Sequence, residues 1–169
     1  CYDRETDSTL SVLKKHPDVL KRVILLKNTS VGPHSAVMTG LEQSKAKAVL
    51  VFPADDDYNY NIIDLMYESF LKGNEIVAAS RFMKGGSMKG CPFLKSLFVL
   101  ISSFTLYYFA FIPIKDASNG FRLFSRKAID TIQIESTKGF TYSIEYLVKA
   151  HRLKYKISQV PAQWYERKE

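Results

Sequence analysis

The sequence has few cysteines and histidines, and both shortages exclude classes of protein. Its two cysteines, Cys1 and Cys91, match no metal-binding spacing and no disulfide framework, which favours a reducing compartment. The three histidines, His16, His34 and His151, are isolated from one another, so no histidine metal site is predicted. No internal repeat and no low-complexity linker divides the 169 residues. A single domain spanning residues 1–169 is therefore predicted.

The ends of the sequence also lack features. No basic and apolar signal segment opens the chain, so secretion has no support. The sequence begins at Cys1 rather than at a methionine and ends at Glu169 in a charged stretch. We therefore expect a domain cut from a longer protein, truncated at both ends.

Acidic residues are outnumbered, with 17 Asp and Glu against 24 Lys and Arg, for a net charge of +7. The basic residues form two clusters: Arg81, Lys84, Lys89 and Lys95, and then Lys149, His151, Arg152, Lys154, Lys156, Arg167 and Lys168. Such clusters suit phosphates, nucleic acid or an anionic membrane surface. No nucleic-acid motif accompanies them, so phosphates and lipid headgroups are the predicted partners and nucleic acid is not. A solvated helix face explains the second cluster equally well.

Helices and strands alternate along the predicted chain. The patterns predict helices over 8–15, 32–45 and 62–72, and strands over 22–27, 48–52 and 75–80. Strands separated by helices of this length favour βαβ units. The predicted fold class is α/β, with a mostly parallel sheet and helices on both faces.

The most informative stretch is an apolar strand that runs directly into three carboxylates. Residues 48–52 read Ala-Val-Leu-Val-Phe, and after Pro53 and Ala54 come Asp55, Asp56 and Asp57. A strand without polar alternation is typical of a central parallel strand, and open α/β sheets bind ligands at the carboxyl ends of their strands. Three adjacent carboxylates repel one another unless their charge is neutralised, and Mg²⁺ or Mn²⁺ bound together with phosphates is the usual way. A solvated acidic turn that caps the next helix is the alternative.

Further polar elements follow in order. Arg81 ends the next predicted strand, at the same sheet edge as the carboxylates, and offers a fork of donors suited to phosphate. The paired Gly85 and Gly86 allow a mobile loop or a close backbone approach to a ligand. A dense polar turn, Asp116-Ala117-Ser118-Asn119-Gly120-Phe121-Arg122, comes later, and Gly139-Phe140 precedes a helix that carries Glu145.

Residues 97–112 form a different kind of segment, LFVLISSFTLYYFAFI, which Pro113 ends. Sixteen residues with three hydroxyl side chains fall short of the roughly twenty needed to span a bilayer. Three interpretations stay open: an aromatic helix at a membrane interface, which is favoured, a buried core helix, and a transmembrane span.

Taken in order, these motifs resemble the inverting family 2 glycosyltransferases of GT-A fold, in the branch of dolichyl-phosphate mannosyltransferases and bacterial polyprenyl-phosphate sugar transferases. The resemblance spans nearly the whole chain, with the amino-terminal strand missing. The stretch from Asp3 to Thr9, DRETDST, is similar to the tail of the family's nucleotide-binding element, with Asp3 and Asp7 at its acidic positions. Pro53-Ala54-Asp55 occupies the place of the Asp-x-Asp metal motif, and Asp55 with Asp57 is itself an Asp-x-Asp.

The resemblance implies a role for each matching position. It implies catalytic positions at Asp116, Arg81 and Arg122, donor or nucleotide positions at Asp3, Asp7, Asp55 and Arg81, metal ligands at Asp55 and Asp57, and acceptor-side positions at Asn119, Gly120, Glu145 and Arg167. The implied cofactor is Mg²⁺ or Mn²⁺. The implied partners are a nucleoside-diphosphate sugar, a polyprenyl-phosphate acceptor and the cytoplasmic face of a membrane.

Two acceptors and two other classes of function stay open. A polyprenyl phosphate is already ionised near neutral pH and needs no general base, because the second pKa of a phosphomonoester is about 6. A sugar hydroxyl in cell-envelope glycan synthesis would need a base, and Asp116 is the candidate. A nucleotidyltransferase would share the fold and the metal. A catalytically silent binding domain is suggested by Pro53, which replaces the first acid of the motif.

Overall fold

The computed structural model describes residues 1–166. Its elements in chain order are helices α1 (Ser8–Lys14), α2 (Pro17–Leu20) and α3 (Pro33–Gln43), strand β1 (Ala48–Val51), a 3₁₀ turn (Tyr60–Ile62), helix α4 (Ile63–Leu71), strands β2 (Ile76–Ser80) and β3 (Ser87–Lys89), helix α5 (Phe93–Tyr108), strand β4 (Arg122–Ser125), helices α6 (Arg126–Thr131) and α7 (Thr141–Arg152), and strands β5 (Ile157–Pro161) and β6 (Gln163–Tyr165).

Most predicted elements are confirmed within two or three residues, because local signals bound them. The Asp7 carboxylate caps α1 by accepting a hydrogen bond from the Thr9 backbone N–H at 2.8 Å. Gly73, with a φ of +87°, follows α4 in the left-handed region that favours glycine. The strand predicted over 22–27 is wrong. Only Lys27 makes a bridge there, with Tyr2, and the apolar Ile24 is 82% exposed.

The central sheet has the strand order β1-β4-β2-β5. β2 pairs with β5 in parallel, whereas β4 is antiparallel to both β1 and β2. Three of the four strands therefore run in one direction, and β4 is inserted against them. This insertion matters for the site: Arg122, the first residue of β4, lies opposite Val51 and Ala78 near the carboxyl ends of β1 and β2.

Helices cover both faces of the sheet, as predicted. β2 is completely buried, and its side chains alternate between two apolar clusters. Ile76 and Ala78 join the cluster that contains residues of α3, α6 and α7, and Val77 and Ala79 join the one that contains α4. A smaller sheet of two parallel strands, β3 and β6, lies beyond the end of β5.

Helix α5 is the exception to this packing. Among its 16 residues only Ser103 is buried, and large apolar side chains face solvent along its length: Phe93, Leu94, Leu97, Phe98, Leu100, Ile101, Phe104 and Tyr108. The interpretation of 97–112 as a buried core helix is therefore wrong, although Ile112 beyond the helix end is buried. Within the described residues 1–166, no helix combines the length and apolarity that crossing a membrane requires.

Candidate active site

A cleft of about 770 Å³ opens at the carboxyl ends of β1 and β2. It is lined by the acidic loop, defined as residues 53–59, and by residues 163–166, which are β6 and the position after it. Arg81 and the turn from Ser118 to Gly120 also line it. The antiparallel β4 brings this turn to the cleft, because the turn immediately precedes β4 and so lies at the edge where β1 and β2 end.

The three carboxylates of the acidic loop have different surroundings. Asp55 and Asp57 are exposed and line the cleft. Asp56 is half-buried, and its Oδ1 accepts hydrogen bonds from the backbone N–H groups of Tyr58 and Asn59 at 3.1 and 3.0 Å. Its Oδ2 accepts a third from the Asn59 amide at 2.6 Å. Asp56 therefore stabilises the loop, and Asp55 and Asp57 line the cleft on either side of it in sequence.

The acidic loop suits a divalent cation whose remaining ligands come from a bound substrate. Within the described residues, no three His, Cys, Asp or Glu side chains come together as a closed metal site. Mg²⁺ is commonly held by one or two carboxylates together with substrate phosphates, so the pair Asp55 and Asp57 fits this open type of site.

Arg81 and Asp116 form a buried pair at the floor of the cleft. The Arg81 guanidinium donates from Nε to Asp116 Oδ2 at 2.7 Å and from Nη2 to Asp116 Oδ1 at 2.8 Å. The Arg81 backbone N–H donates to the same carboxylate, and Nη2 also donates to Ser118 Oγ. Asp116 is 0% exposed, whereas the Arg81 side chain is 11% exposed. The carboxylate is therefore fully engaged, and the arginine alone reaches the cleft.

Gly86 lets the chain turn tightly beneath Arg81. A Cβ added to Gly86 would lie 2.4 Å from the Ser80 carbonyl oxygen and 2.8 Å from that of Arg81. The glycine pair predicted a close approach of the backbone to a ligand, but Gly86 instead approaches the backbone of Ser80 and Arg81.

Arg122 is placed behind the cleft and not in it. It is 0% exposed, and its guanidinium donates to the backbone carbonyls of Ser143 and Ala117. Burial lowers the pKa of Arg122 to about 10, against the opposing charge of Asp116. Arg122 therefore makes no contact that a substrate could share, and the implied catalytic role becomes one of holding the turn that carries Asn119 and Gly120 into the cleft.

Glu145 is likewise not brought to the cleft. Its carboxylate accepts hydrogen bonds from the backbone N–H groups of Glu135 and Ser136 and pairs with Lys149 at 2.7 Å. The contact fixes the segment before α7 onto that helix. Arg167 lies outside the described residues.

Glu145 gives a pH-dependent prediction for stability. Desolvation alone would raise the pKa of this carboxyl, but the bonds from Lys149, Glu135 and Ser136 outweigh it and lower the pKa from 4.5 to about 2. The stabilisation is then complete above pH 4.5 and is lost as the pH falls through 2. We expect Glu145→Gln to lower the free energy of unfolding by about 2–3 kcal/mol at pH 7, with the difference from wild type shrinking towards pH 2.

Urea unfolding of both proteins across this pH range measures the effect, and Glu68→Gln, an exposed residue of α4, is the control. An equal loss at pH 7 and at pH 2 would contradict the assignment.

Asp3 and Asp7 line a second concavity of about 330 Å³, which shares no lining residue with the cleft. The Asn28 amide donates to Asp3 Oδ1 at 2.6 Å and the Gly32 N–H donates to Oδ2 at 3.0 Å. These bonds lower the pKa of Asp3, with Asn28 contributing most. Both carboxylates are therefore engaged within the protein, Asp3 with Asn28 and Gly32 and Asp7 with the Thr9 N–H of α1.

Several cleft residues have no role in the sequence prediction. Aromatic side chains supply much of the lining: Phe52, Tyr58, Phe140, Tyr142, Trp164 and Tyr165. The rings of Tyr58 and Tyr165 lie 4.4 Å apart and join the acidic loop to β6. Asn59 and Glu166 complete the wall. Trp164-Tyr165-Glu166 directly precedes Arg167, a position that the resemblance pointed to, but nothing local marks Asn59.

Comparison with known proteins identifies the family. Residues 2–133 match the family described as "Glycosyl transferase family 2". The chain belongs to this family. Its fold is that of the GT-A glycosyltransferases.

Two similar proteins are both named as dolichol-phosphate sugar transferases. A dolichol-phosphate mannosyltransferase of Pyrococcus furiosus is 26% identical over 94% of this chain and 44% of its own length. A dolichyl-phosphate beta-glucosyltransferase of Trichomonas vaginalis is also 26% identical, over 97% of this chain and 51% of its own. The chain thus spans about half the length of these relatives.

Two solved structures share the fold. A mycobacterial protein aligns with a TM-score of 0.68 and 15% identity over 99% of this chain and 55% of its own. Glucosyl-3-phosphoglycerate synthase from Mycobacterium tuberculosis, solved with Mn²⁺, uridine diphosphate and phosphoglyceric acid, aligns with a TM-score of 0.66 and 14% identity over 99% of this chain and 58% of its own.

Proposed function

We propose that this protein transfers a sugar from a nucleoside-diphosphate sugar to a polyprenyl phosphate, with inversion at the anomeric carbon. The observation that carries the choice of acceptor is the state of Asp116. This candidate base is completely buried and bound twice by Arg81, so it is not placed to take a proton from a sugar hydroxyl. A phosphate acceptor needs no such proton transfer. The names of the two relatives support the same acceptor.

The donor's diphosphate would lie between the acidic loop and Arg81. Asp55 and Asp57 would hold Mg²⁺ or Mn²⁺, and the solved neighbour with Mn²⁺ and uridine diphosphate supports such an ion in this fold. When bound, the cation would neutralise the negative charge that grows on the leaving diphosphate. Asp56 holds the loop in place, so the two outer carboxylates need little reorganisation.

Arg81 supplies the fixed positive charge of the site. Two of its guanidinium nitrogens are held by Asp116, which orients the plane. Its Nη1 lies 4.0 Å from Met88 Sδ, a weak contact that a phosphate oxygen can replace. A donor held rigidly before the charge develops stabilises the transition state without reorganisation of its own.

Sugar transfer by the full-length protein tests this proposal directly. Purified protein is incubated with Mn²⁺, uridine- or guanosine-diphosphate sugars and either a polyprenyl phosphate or a free sugar acceptor, and the anomeric configuration of the product is read by NMR. We expect transfer to the phosphate only, and loss of transfer on chelation. Transfer to the hydroxyl acceptor alone would assign the competing reaction, and binding without turnover would indicate a silent binding domain.

We propose that the protein works at the cytoplasmic face of a membrane, and the exposed apolar side chains of α5 support docking to a membrane surface. Phe98 and Phe104 are 70% and 55% exposed, which is unusual for large apolar residues of a water-facing helix. The neighbouring basic cluster is partly committed within the protein. Arg81 pairs with Asp116 and Lys95 with Glu166, at 2.9 Å. We therefore propose that apolar side chains contribute most of the docking and that the lysines add a salt-sensitive part.

Vesicle binding measures this contribution. The protein is expected to co-sediment with anionic vesicles at low salt, and the double variant Phe98→Ser with Phe104→Ser should bind at least about tenfold more weakly, since each buried aromatic contributes more than 1 kcal/mol. Ile24→Ser, at an exposed apolar position outside α5, is the control. Wild-type binding that the double variant leaves unchanged would exclude docking through α5.

A further inference from the structure

Asn59 is a buried polar residue where the acidic loop meets strand β6. It is 3% exposed, although it lies in a loop and carries a side chain that needs several hydrogen-bond partners. Its amide meets both the acidic loop that contains it and strand β6, which is 104 positions away along the chain. Burial of this kind is tolerated only where the polar atoms are satisfied.

The side chain of Asn59 pairs with Gln163 as a neighbouring strand would. Asn59 Nδ2 donates to the Gln163 carbonyl oxygen at 2.7 Å, and Asn59 Oδ1 accepts from the Gln163 N–H at 2.8 Å. The side chain thus takes up both backbone groups of the first residue of β6. The ring contact of Tyr58 with Tyr165 lies beside this pair and joins the same two segments.

Asn59 also holds the middle carboxylate of the acidic loop. Its Nδ2 donates to Asp56 Oδ2 at 2.6 Å, and its backbone N–H donates to Asp56 Oδ1 at 3.0 Å. Asp56 is therefore fixed from the same residue that fixes β6. Asn59 therefore links the backbone of β6 to the loop that carries Asp55 and Asp57.

We propose that Asn59 is a positioning residue that fixes the acidic loop, with Asp55 and Asp57, relative to Trp164 and Tyr165 of β6, all of which line the cleft. This inference rests on the proposed function for its ligand, a nucleoside diphosphate with a divalent cation. A ligand held by both segments needs their relative position to be set before it binds, because misplacement by about 1 Å costs up to about 100-fold in rate. Neither Asp56 nor Asn59 has to touch the ligand.

The test compares Asn59→Ala with Asn74→Ala in the full-length protein. Asn74 is a matched control, since its amide donates to Ser69 in a half-buried position outside the cleft. Mn²⁺ binding is measured by electron paramagnetic resonance with uridine or guanosine diphosphate present, and hydrogen exchange is followed at the Gln163 amide. We expect Asn59→Ala to weaken Mn²⁺ binding at least about tenfold and to speed exchange at Gln163, with neither change in Asn74→Ala.

Each other outcome overturns the proposal. Faster exchange at Gln163 with Mn²⁺ affinity within twofold of the control would make Asn59 a structural residue only. Wild-type protein that binds no Mn²⁺ with either nucleotide would overturn the proposed function and this inference with it. If Asn59→Ala does not fold, Asn59→Ser, which keeps a hydroxyl near both partners, decides the question by the same two measurements.

Discussion

Replacing Asp55 by asparagine is expected to lower kcat/KM for sugar transfer by at least about 100-fold. Asparagine keeps the size of the side chain and one oxygen, but it removes the negative charge that a divalent cation needs. Asp55 is exposed and lines the cleft beyond the half-buried strand β1, so the change acts on the site and not on the core. Mn²⁺ affinity should fall together with activity.

Initial rates with Mn²⁺ varied at fixed donor, together with direct Mn²⁺ titration, measure this effect. Asp64→Asn is the matched control, because Asp64 is an exposed aspartate in the first turn of α4 and outside the cleft. Its loss should be confined to the small stabilisation that an acid gives to a helix start. Turnover and Mn²⁺ affinity that both survive in Asp55→Asn would remove Asp55 from the metal site.

The second large effect is expected for Arg81→Lys. Lysine keeps the positive charge but cannot form the two parallel bonds that Arg81 makes with Asp116. The carboxylate of Asp116 is completely buried, so an imperfect partner leaves it poorly compensated. We expect a loss of about 2 kcal/mol in the free energy of unfolding and a loss of at least about tenfold in kcat, with KM for the donor raised as well.

The measurement pairs urea unfolding with steady-state kinetics. Arg126→Lys is the control, since Arg126 also makes several hydrogen bonds, to Ser44 and Ala46, on the far side of β4 from the cleft. It should lose stability but keep kcat. Equal kcat in Arg81→Lys and in the wild-type protein would limit Arg81 to a structural role. The proposed contact of Arg81 with the donor's phosphates would then be wrong.

The fold could be predicted from the sequence wherever a local pattern bounded an element. The apolar run from Ala48 to Val51 predicted a strand, and Asp7 and Gly73 lie where α1 begins and α4 ends. Its prediction as a central strand with both faces covered is wrong, because β1 is half-buried and lies at the edge of the described sheet, paired only with β4. The insertion of β4 between β1 and β2 could not be predicted in this way. The direction in which a strand pairs depends on which strands lie beside it in the folded protein. Residues 122–125 contain no sequence pattern that identifies β1 and β2 as those strands.

The candidate site was predicted in its residue types more than in its contacts. Asp55, Asp57, Arg81 and the turn at Asn119 and Gly120 were predicted from motifs, and the structure brings them to one cleft. Whether they bind metal, donor and acceptor stays a prediction for the experiments above. Arg122 and Glu145 were predicted from motifs of the same kind, but neither lines the cleft. Arg122 is buried against the Ala117 carbonyl, and Glu145 binds the Ser136 backbone N–H.

By itself, the sequence determined the family, the alternation of helices and strands, and the charged residues at the ends of two strands. These features depend on composition and on spacings of a few residues, which act locally. Only the tertiary structure decided that Arg81 forms a salt bridge with Asp116, 35 positions away, and that the Asn59 side chain hydrogen-bonds to the Gln163 backbone. It also decided that α5 stays exposed, because apolar composition favours burial without specifying what will cover the helix. Contacts between distant segments depend on how the layers pack, and no local pattern records that.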